Sequence, residues 1–385
     1  MNNQSIQVKC SIVRGGTSKA VFILENELPK DLILREKIIL ALYGSPDIRQ
    51  IDGLGGADLL TSKLAIIGPS TVPNADVDYT FGQVSITEPF VEFNSNCGNI
   101  SSGVGPFAID NGLVRATEPF TTVRIHLKNI NKIMIAQVPT VEGKSAIDGD
   151  FEIDGVPGTG AKIYLDWSEV IGATMGKLLP TGNVKDVIVY NGRDYHISIV
   201  DAGTISVFVP AEELGMVGIE SPQEIEANKD LQELIEIIRG KACELIGLVS
   251  NWENAIKETP YLPFLVTVAK PSDYTCFTGK KILEKEVDLV ARLSSMGIIN
   301  KTFAGSGTVC TGAAARIVGT VVHDVLNDES RKRSLLYIGH GAGRIPVEVE
   351  AQEENGSFSM KKINIYRTAR ILMDGCAYVR KSSLI

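Results

Sequence analysis

Apolar and polar positions alternate with period two in several short stretches of this chain. Val8, Cys10 and Ile12 alternate with polar neighbours, RGGTSK interrupts them, and Ala20, Phe22 and Leu24 alternate again, which predicts a β-hairpin. KDLILREKIILALYGS changes to helical spacing, with Leu32, Leu34, Ile38, Ile39 and Leu42 as its apolar stripe and Gly44 as its stop. The glycine-rich DGLGGADLLTSK then feeds a strand in LAIIG, and GQVSI predicts another. TVRIHLK, KIMIAQV and KDVIVYNGRDYHISIVDAGTISVFV read as strands. SPQEIEANKDLQELIEIIRGKACELIGLV and EKEVDLVARLSSMG read as helices.

In FNSNCGNISSGVGPFAIDNGL, the alternation of Val91 and Phe93 gives way to helical spacing at Ile100, Val104, Phe107 and Ala108. Cys97 therefore falls at or just before a helix N-terminus, where unpaired amides and the dipole stabilise a thiolate or a bound carboxylate. A free cysteine also packs as a small hydrophobe, and the local pattern does not choose between the two. AGSGTVCTGAAARIVGTVVHDVL repeats this grammar: a small polar loop, Cys310, a glycine two residues on, then a helix. Ala313, Ala314, Ile317, Val318, Val321 and Val325 make that helix apolar on most sides, so it is expected to be buried in a curled sheet. An internal duplication is expected, with a helix N-terminus from each half meeting at a cleft.

Composition narrows the class. A chain of 385 residues is expected to form two domains. Its net charge of −8 argues against nucleic acid or an anionic membrane as partner. No run is long enough to span a bilayer, and MNNQSIQVKCSIV lacks the features of a signal peptide. Six scattered cysteines read as reduced thiols in a cytoplasm. GATMGKL has the wrong spacing for a phosphate-binding loop, and neither GLGG nor GHGAG fits a dinucleotide fingerprint. The four histidines are far apart and there is no CxxC, so no metal and no cofactor are expected. What remains is a thiol, amines and backbone amides. Lys63, in LLTSKLAII, follows the glycine loop; it reads either as a surface lysine at a strand entrance or, if enclosed, as a base for a carbon acid.

At these residues the sequence resembles the cofactor-independent isomerases of unsaturated di- and tricarboxylic acids, which are similar in fold to diaminopimelate epimerase. The motifs run through nearly the whole chain: RGGTSKAVFI, DGLGGADLLTSKLAII, NCGNISSGVGPFAI, GDFEIDGVPGTGAKI, GKLLPTG, IVDAGTISVFV and YRTARILMDGCAYV. The resemblance implies an α/β fold of two similar domains, each a curved sheet around a central helix. The expected division is 1–185 with 366–385, carrying Lys63 and Cys97, and 186–365, carrying Cys310, with the chain end returning to the first domain as a strand. It also implies that Lys63 and Cys97 are the catalytic pair. The epimerases place a second cysteine in a CGTG-like turn, whereas this chain has the shorter CTG at Cys310, so packing or cleft lining is expected of that residue.

The implied reaction is a 1,3-proton shift that moves a C=C bond, best matched by 3-methylitaconate becoming 2,3-dimethylmaleate. The alternatives are 2-methylaconitate cis–trans isomerisation and oxalomesaconate tautomerisation, or a non-catalytic accessory to an aconitase-like dehydratase. Carboxylates would be held by Gly98 and Asn99, by the loop Ser306, Gly307 and Thr308, and by the hydroxyls of Thr17 and Ser18, which plain turn chemistry explains equally well. The expected partner is a small unsaturated di- or tricarboxylate, and a homo-oligomer is the expected assembly.

Overall fold

The computed structural model describes residues 4–354 and 357–384; residues 1–3 and 385, at the limits of the expected first domain, lie outside them. The chain divides into two compact units, Met1–Leu165 with Arg367–Ile385, and Asp166–Tyr366. Residues 166–185 thus fall in the second unit, not the first as expected. Their bonds explain this: Trp167 N donates to Ile363 O and Gly203 N to Val170 O, both at 2.8 Å. The Asp201 carboxylate also accepts from Thr174 N and Met175 N.

In the first unit, Ser5–Gly15 pairs antiparallel with both Ala369–Arg380 and Ser18–Leu24, so the chain end does return as a strand. Ser18–Leu24 runs parallel to Lys63–Pro69, which pairs antiparallel with Val77–Val84. Val77–Val84 holds the short Val91–Glu92 antiparallel and Phe120–Leu127 parallel, and Lys132–Val141 closes the series. The second unit repeats the grammar. Arg193–Val200 pairs antiparallel with Asp186–Tyr190 and Ser206–Pro210, and the latter runs parallel to Phe264–Ala269. Leu289–Ser295 then pairs with Phe264–Ala269, with the short Ile298–Ile299 and, in parallel, with Leu335–His340.

Each sheet has two packed faces. In the first unit Val21, Ile23, Leu64, Ile66, Val84 and Val91 pack against Ile38, Ile39, Leu42 and Tyr43 of the outer helix Leu32–Tyr43. That helix starts on Asp31, whose side chain accepts from Leu34 N, and stops at Gly44 with φ 71°. Leu32 and Leu34 of the expected stripe are exposed, so the buried side is confined to the later turns. In the second unit the outer helix Lys229–Leu245 covers Val207, Val209 and Leu265. The expected single helix there breaks at Asn228, whose side chain caps Lys229–Leu245.

The opposite faces enclose the helices Gly98–Asp110 and Gly305–Arg316, buried through Ile109 and Ala315. Such enclosure demands small residues: a Cβ added at Gly105 would lie 2.7 Å from Val138, and one at Gly312 2.8 Å from Val347.

Two expected helices are corrected. EKEVDLVARLSSMG forms the strand Leu289–Ser295, because Leu289 to Ser294, Arg292 included, are all buried between two neighbouring strands and the stretch carries no alternation. The helix expected to follow Cys310 begins earlier, at Gly305, and ends at Arg316 before Gly319 (φ 92°). Cys310 therefore sits inside the helix and leads nothing.

The first hairpin meets the central helix at Gly15, where a Cβ would lie 2.5 Å from the backbone oxygen of Asn99. Backbone cannot rotate out of the way, so Gly15→Ala is expected to destabilise the protein by about 1–3 kcal/mol, as overpacking does. A lowered denaturation midpoint in urea checks this.

Candidate active site

Lys63 opens its strand at the end of a pinned loop. Gln50, almost fully buried, donates from Nε2 to Ser45 Oγ and Ser62 Oγ at 2.9 and 2.8 Å, and its Oε1 accepts from Ala57 N at 2.8 Å. Ser62 Oγ in turn donates to Val84 O at 2.9 Å. The hydroxyl of Tyr43 donates to the Lys63 carbonyl. With its neighbours Leu64 and Ile66 on the outer face, Lys63 shares the inner face with Ala65, and only 8% of it is exposed. Its Nζ donates to Gln83 Oε1 at 2.6 Å and lies 5.3 Å from the Phe81 ring centroid. Gln83 has no freedom to flip, because its Nε2 donates to the carbonyls of Ser62 and Leu59 at 2.8 and 3.3 Å.

The strand register extends this row. Gln83 pairs with Lys63 on one side and with Glu92 on the other. Glu92 is 5% exposed, and burial raises its pKa against the opposing pull of bonds from Ser95 and Asn94 and of the Lys63 charge. Its carboxylate accepts from Asn94 N and, at 2.5 Å, from Ser95 Oγ. The same acid thus faces the amine and holds the loop that leads to Cys97.

Cys97 is the N-cap of the first central helix and its thiol makes no cap bond. Ser101 N and Ser101 Oγ both donate to Cys97 O, at 2.8 and 2.9 Å, leaving the amides of Gly98, Asn99 and Ile100 outside the helix's own ladder. Asn99 links the helix start to the hairpin, donating to Thr17 Oγ1 at 3.1 Å and accepting from Arg367 Nε at 2.9 Å. Burial lowers the Arg367 pKa to about 10, opposed by Cys97 beside it. Burial, reinforced by the Cys97 charge, raises the Tyr79 hydroxyl well above its ordinary range. The hydroxyl of Ser18 is buried and has no hydrogen-bond partner among the described residues.

The second unit shows what the same fold holds at the matching positions. Ala304 is the N-cap of its central helix, and Thr308 N and Oγ1 donate to Ala304 O at 2.8 and 2.9 Å, as Ser101 does to Cys97. Both groups of Thr308 are therefore engaged within the helix, which leaves Gly305, Ser306 and Gly307 as the amides outside the ladder. Thr204 Oγ1 donates to Ser306 Oγ at 2.7 Å. Where the first unit pairs Ala20 with Lys63, two residues before buried Phe22, the second pairs Ser206 with Phe264, two before buried Phe208. Phe264 and Ala304 thus stand where the first unit has Lys63 and Cys97. Cys310 is fully buried and donates to Val200 O at 3.2 Å; burial pushes its pKa up to about 12.

The expected site residues Lys63, Cys97, Gly98, Asn99, Thr17 and Ser18 all lie in the first unit, where Gln83, Glu92 and Arg367, not singled out from the sequence, are buried with them. The signal for Glu92 was present: it alternates with Val91 and Phe93 and so had to face the central helix. No group of three or more histidine, cysteine or acidic side chains is placed to hold a metal among the described residues.

Two sheets, each wrapped around a helix, with a thiol at one helix start, define an epimerase-like fold. A solved hydroxyproline epimerase from Agrobacterium vitis shares that fold, with a TM-score of 0.55 over 99% of this chain and 94% of its own, at 10% identity. The family model described as PrpF protein matches residues 5–380, and the chain belongs to that family. It is 49% identical to the 3-methylitaconate isomerase of Eubacterium barkeri over 384 residues, the whole of both chains. It is 36% identical to the 2-methyl-aconitate isomerase of Shewanella oneidensis, covering 98% of each. A crystal structure of methylitaconate-delta-isomerase superposes with a TM-score of 0.84 at 49% identity, over 100% of this chain and 98% of that one. This chain is an isomerase.

Exposure sorts the cysteines. Cys97 is half-buried and Cys376 exposed, whereas Cys10, Cys243, Cys276 and Cys310 are buried. Iodoacetamide on the native protein is expected to label Cys97 and Cys376 within minutes and the other four only after unfolding, as peptide mass spectrometry will show.

Glu92 yields a pH signature. A carboxyl whose folded pKa is raised loses no stability below its unfolded pKa, and loses it as pH climbs through the folded value. Glu92→Gln keeps the hydrogen-bonding shape without the charge. It is expected to be more stable than the native protein at neutral pH, with the difference vanishing as pH falls below the ordinary carboxyl range. Urea titrations across that range measure it.

Proposed function

We propose that this isomerase moves a C=C bond by a 1,3-proton shift in a small unsaturated dicarboxylate, converting 3-methylitaconate into 2,3-dimethylmaleate. One observation carries the reading: an amine and a thiol replace Phe264 and Ala304 on matching elements of a duplicated fold. The identity to the Eubacterium barkeri isomerase supports the choice of substrate.

The carbon that carries the methyl group holds a hydrogen that is both allylic and next to a carboxylate. One member of the Lys63–Cys97 pair removes that proton, and the electron pair spreads over the carboxylate and the double bond. The other member returns a proton to the methylene carbon, which becomes the second methyl group. Proton count and charge balance without any redox step or cofactor. A dianion gains a third negative charge on the way, and the open amides of Gly98 and Asn99 with the Ser18 hydroxyl are arranged to meet it. Thr17 has a different part, holding Asn99 in place. In the second unit, the amides of Ser306 and Gly307 are proposed as a carboxylate-binding turn of the same kind. A cytoplasmic location and a homo-oligomeric assembly belong to the same proposal; the free cysteines agree with the first.

Turnover of methylitaconate in heavy water tests this, because isomerisation must carry deuterium into the product. Lys63→Ala and Cys97→Ser are each expected to lose at least about 10²-fold in turnover, the lower end of what general acid–base groups supply. Cys310→Ser should stay within about tenfold, the scale of a 1.4 kcal/mol packing change. Circular dichroism controls for folding; a fully active Cys97→Ser enzyme overturns the assignment.

A further inference from the structure

The residue before Cys97 carries an unexplained group. Asn96 is 6% exposed, and its Oδ1 accepts from Cys97 N at 2.7 Å and lies 3.4 Å from Ser101 Oγ. A backbone N–H can only donate, so this bond fixes which end of the carboxamide is oxygen. The Nδ2 then faces away from the Cys97 amide. It is buried and has no hydrogen-bond partner among the described residues. A buried donor in that condition is a standing loss, and native structures keep one where a ligand completes it.

Two further observations point the same way. The Ser18 hydroxyl, on the hairpin whose Gly15 and Gly16 pack against the same helix start, is also buried without a partner among the described residues. In the second unit the position before the N-cap is Phe303, wholly buried and stacked with His340 at a centroid distance of 6.3 Å. An apolar ring fills that position without any orphaned donor, so the fold does not require the carboxamide.

We infer that Asn96 is a substrate-binding residue whose Nδ2 donates to an oxygen of the carboxylate next to the carbon that loses its proton. The inference rests on the isomerase reading and deepens it. Negative charge builds on that carboxylate as the proton leaves, so the bond strengthens towards the transition state and belongs to kcat as well as to binding. The donor is neutral, so it needs no counter-charge in a site that already holds Glu92 and Arg367.

Asn96→Asp keeps the acceptor for Cys97 N and replaces the donor with an anion. It is expected to lose about 10²- to 10³-fold in kcat/KM, as other oxyanion donors do. It should weaken binding of methylsuccinate, a saturated diacid that cannot isomerise, at least about tenfold by calorimetry. A purely structural role predicts a fixed deficit; here the deficit should shrink as pH falls and the new carboxyl regains an O–H to donate. Asn96→Ser, shorter and uncharged, should lose kcat without that pH dependence. If the native protein neither turns over methylitaconate nor binds methylsuccinate, the isomerase reading fails first. If it does both and Asn96→Asp stays within threefold, this inference alone fails. A crystal structure of the native protein with methylsuccinate decides independently of how the variants fold. A carboxylate oxygen within about 3.2 Å of Asn96 Nδ2 supports the inference, and a complex in which that nitrogen meets only water or protein overturns it.

Discussion

A helix enclosed by a sheet has no free side, and that constraint organises everything else in each unit. Gly98 to Ile109 are buried, as are Gly305 to Ala315, so neither helix has a polar face to offer a ligand along its length. Strands come close enough to exclude even a methyl group at Gly105 and Gly312. The termini are the remaining places where the backbone has unmet hydrogen bonds. At the N-terminus these are donors, and the dipole adds to them. Packing alone therefore singles out the helix start as the place where the proposed anion site belongs.

Duplication separates what the fold needs from what the chemistry needs. Both units have the same strand pairings, an outer helix on one face and a hydroxyl that bonds back to the N-cap carbonyl. The second unit fills the remaining positions with Phe264, Phe303 and Ala304, a stable and chemically silent solution. The first places an amine, a carboxamide and a thiol there and buries Glu92 and Arg367 beside them. Burial opposes the charge on both, lifting the acid and lowering the guanidinium. A unit that only had to fold would gain by losing them.

The N-cap position of Cys97 was legible because the strand-to-helix change of period marks it directly. Lys63 was legible for a similar reason, standing at the mouth of a strand after a glycine loop. Cys310 misled as a helix leader because a cysteine was taken to mark the corresponding point in both halves. Matching the helix starts pairs Cys97 with Ala304 and leaves Cys310 among packing residues. The strand Leu289–Ser295 was hidden because burial on both faces removes the alternation that identifies a strand. Gln83, Glu92 and Arg367 were not singled out because their placement beside Lys63 and Asn99 depends on cross-strand register and on a return of the chain, neither of which is local.

The proposed way of receiving a carboxylate bears on how one scaffold serves several acids. Backbone amides at a helix start and short hydroxyls recognise a carboxylate by its oxygens and are indifferent to what the adjoining carbon carries. Gly15 and Gly16 bring the hairpin against Asn99 so closely that an added Cβ would lie within 2.5 Å of it, which fixes the donors in space. On the proposed function, rigid donors set where the charged end lies, and with it where the acidic C–H meets Lys63 and Cys97. A methyl group or an additional carboxylate then extends beyond that turn, where side chains are free to differ. Relatives named for methylitaconate, methyl-aconitate and oxalomesaconate fit such a division, in which carboxylate recognition comes from the fold and choice of substituent from its periphery.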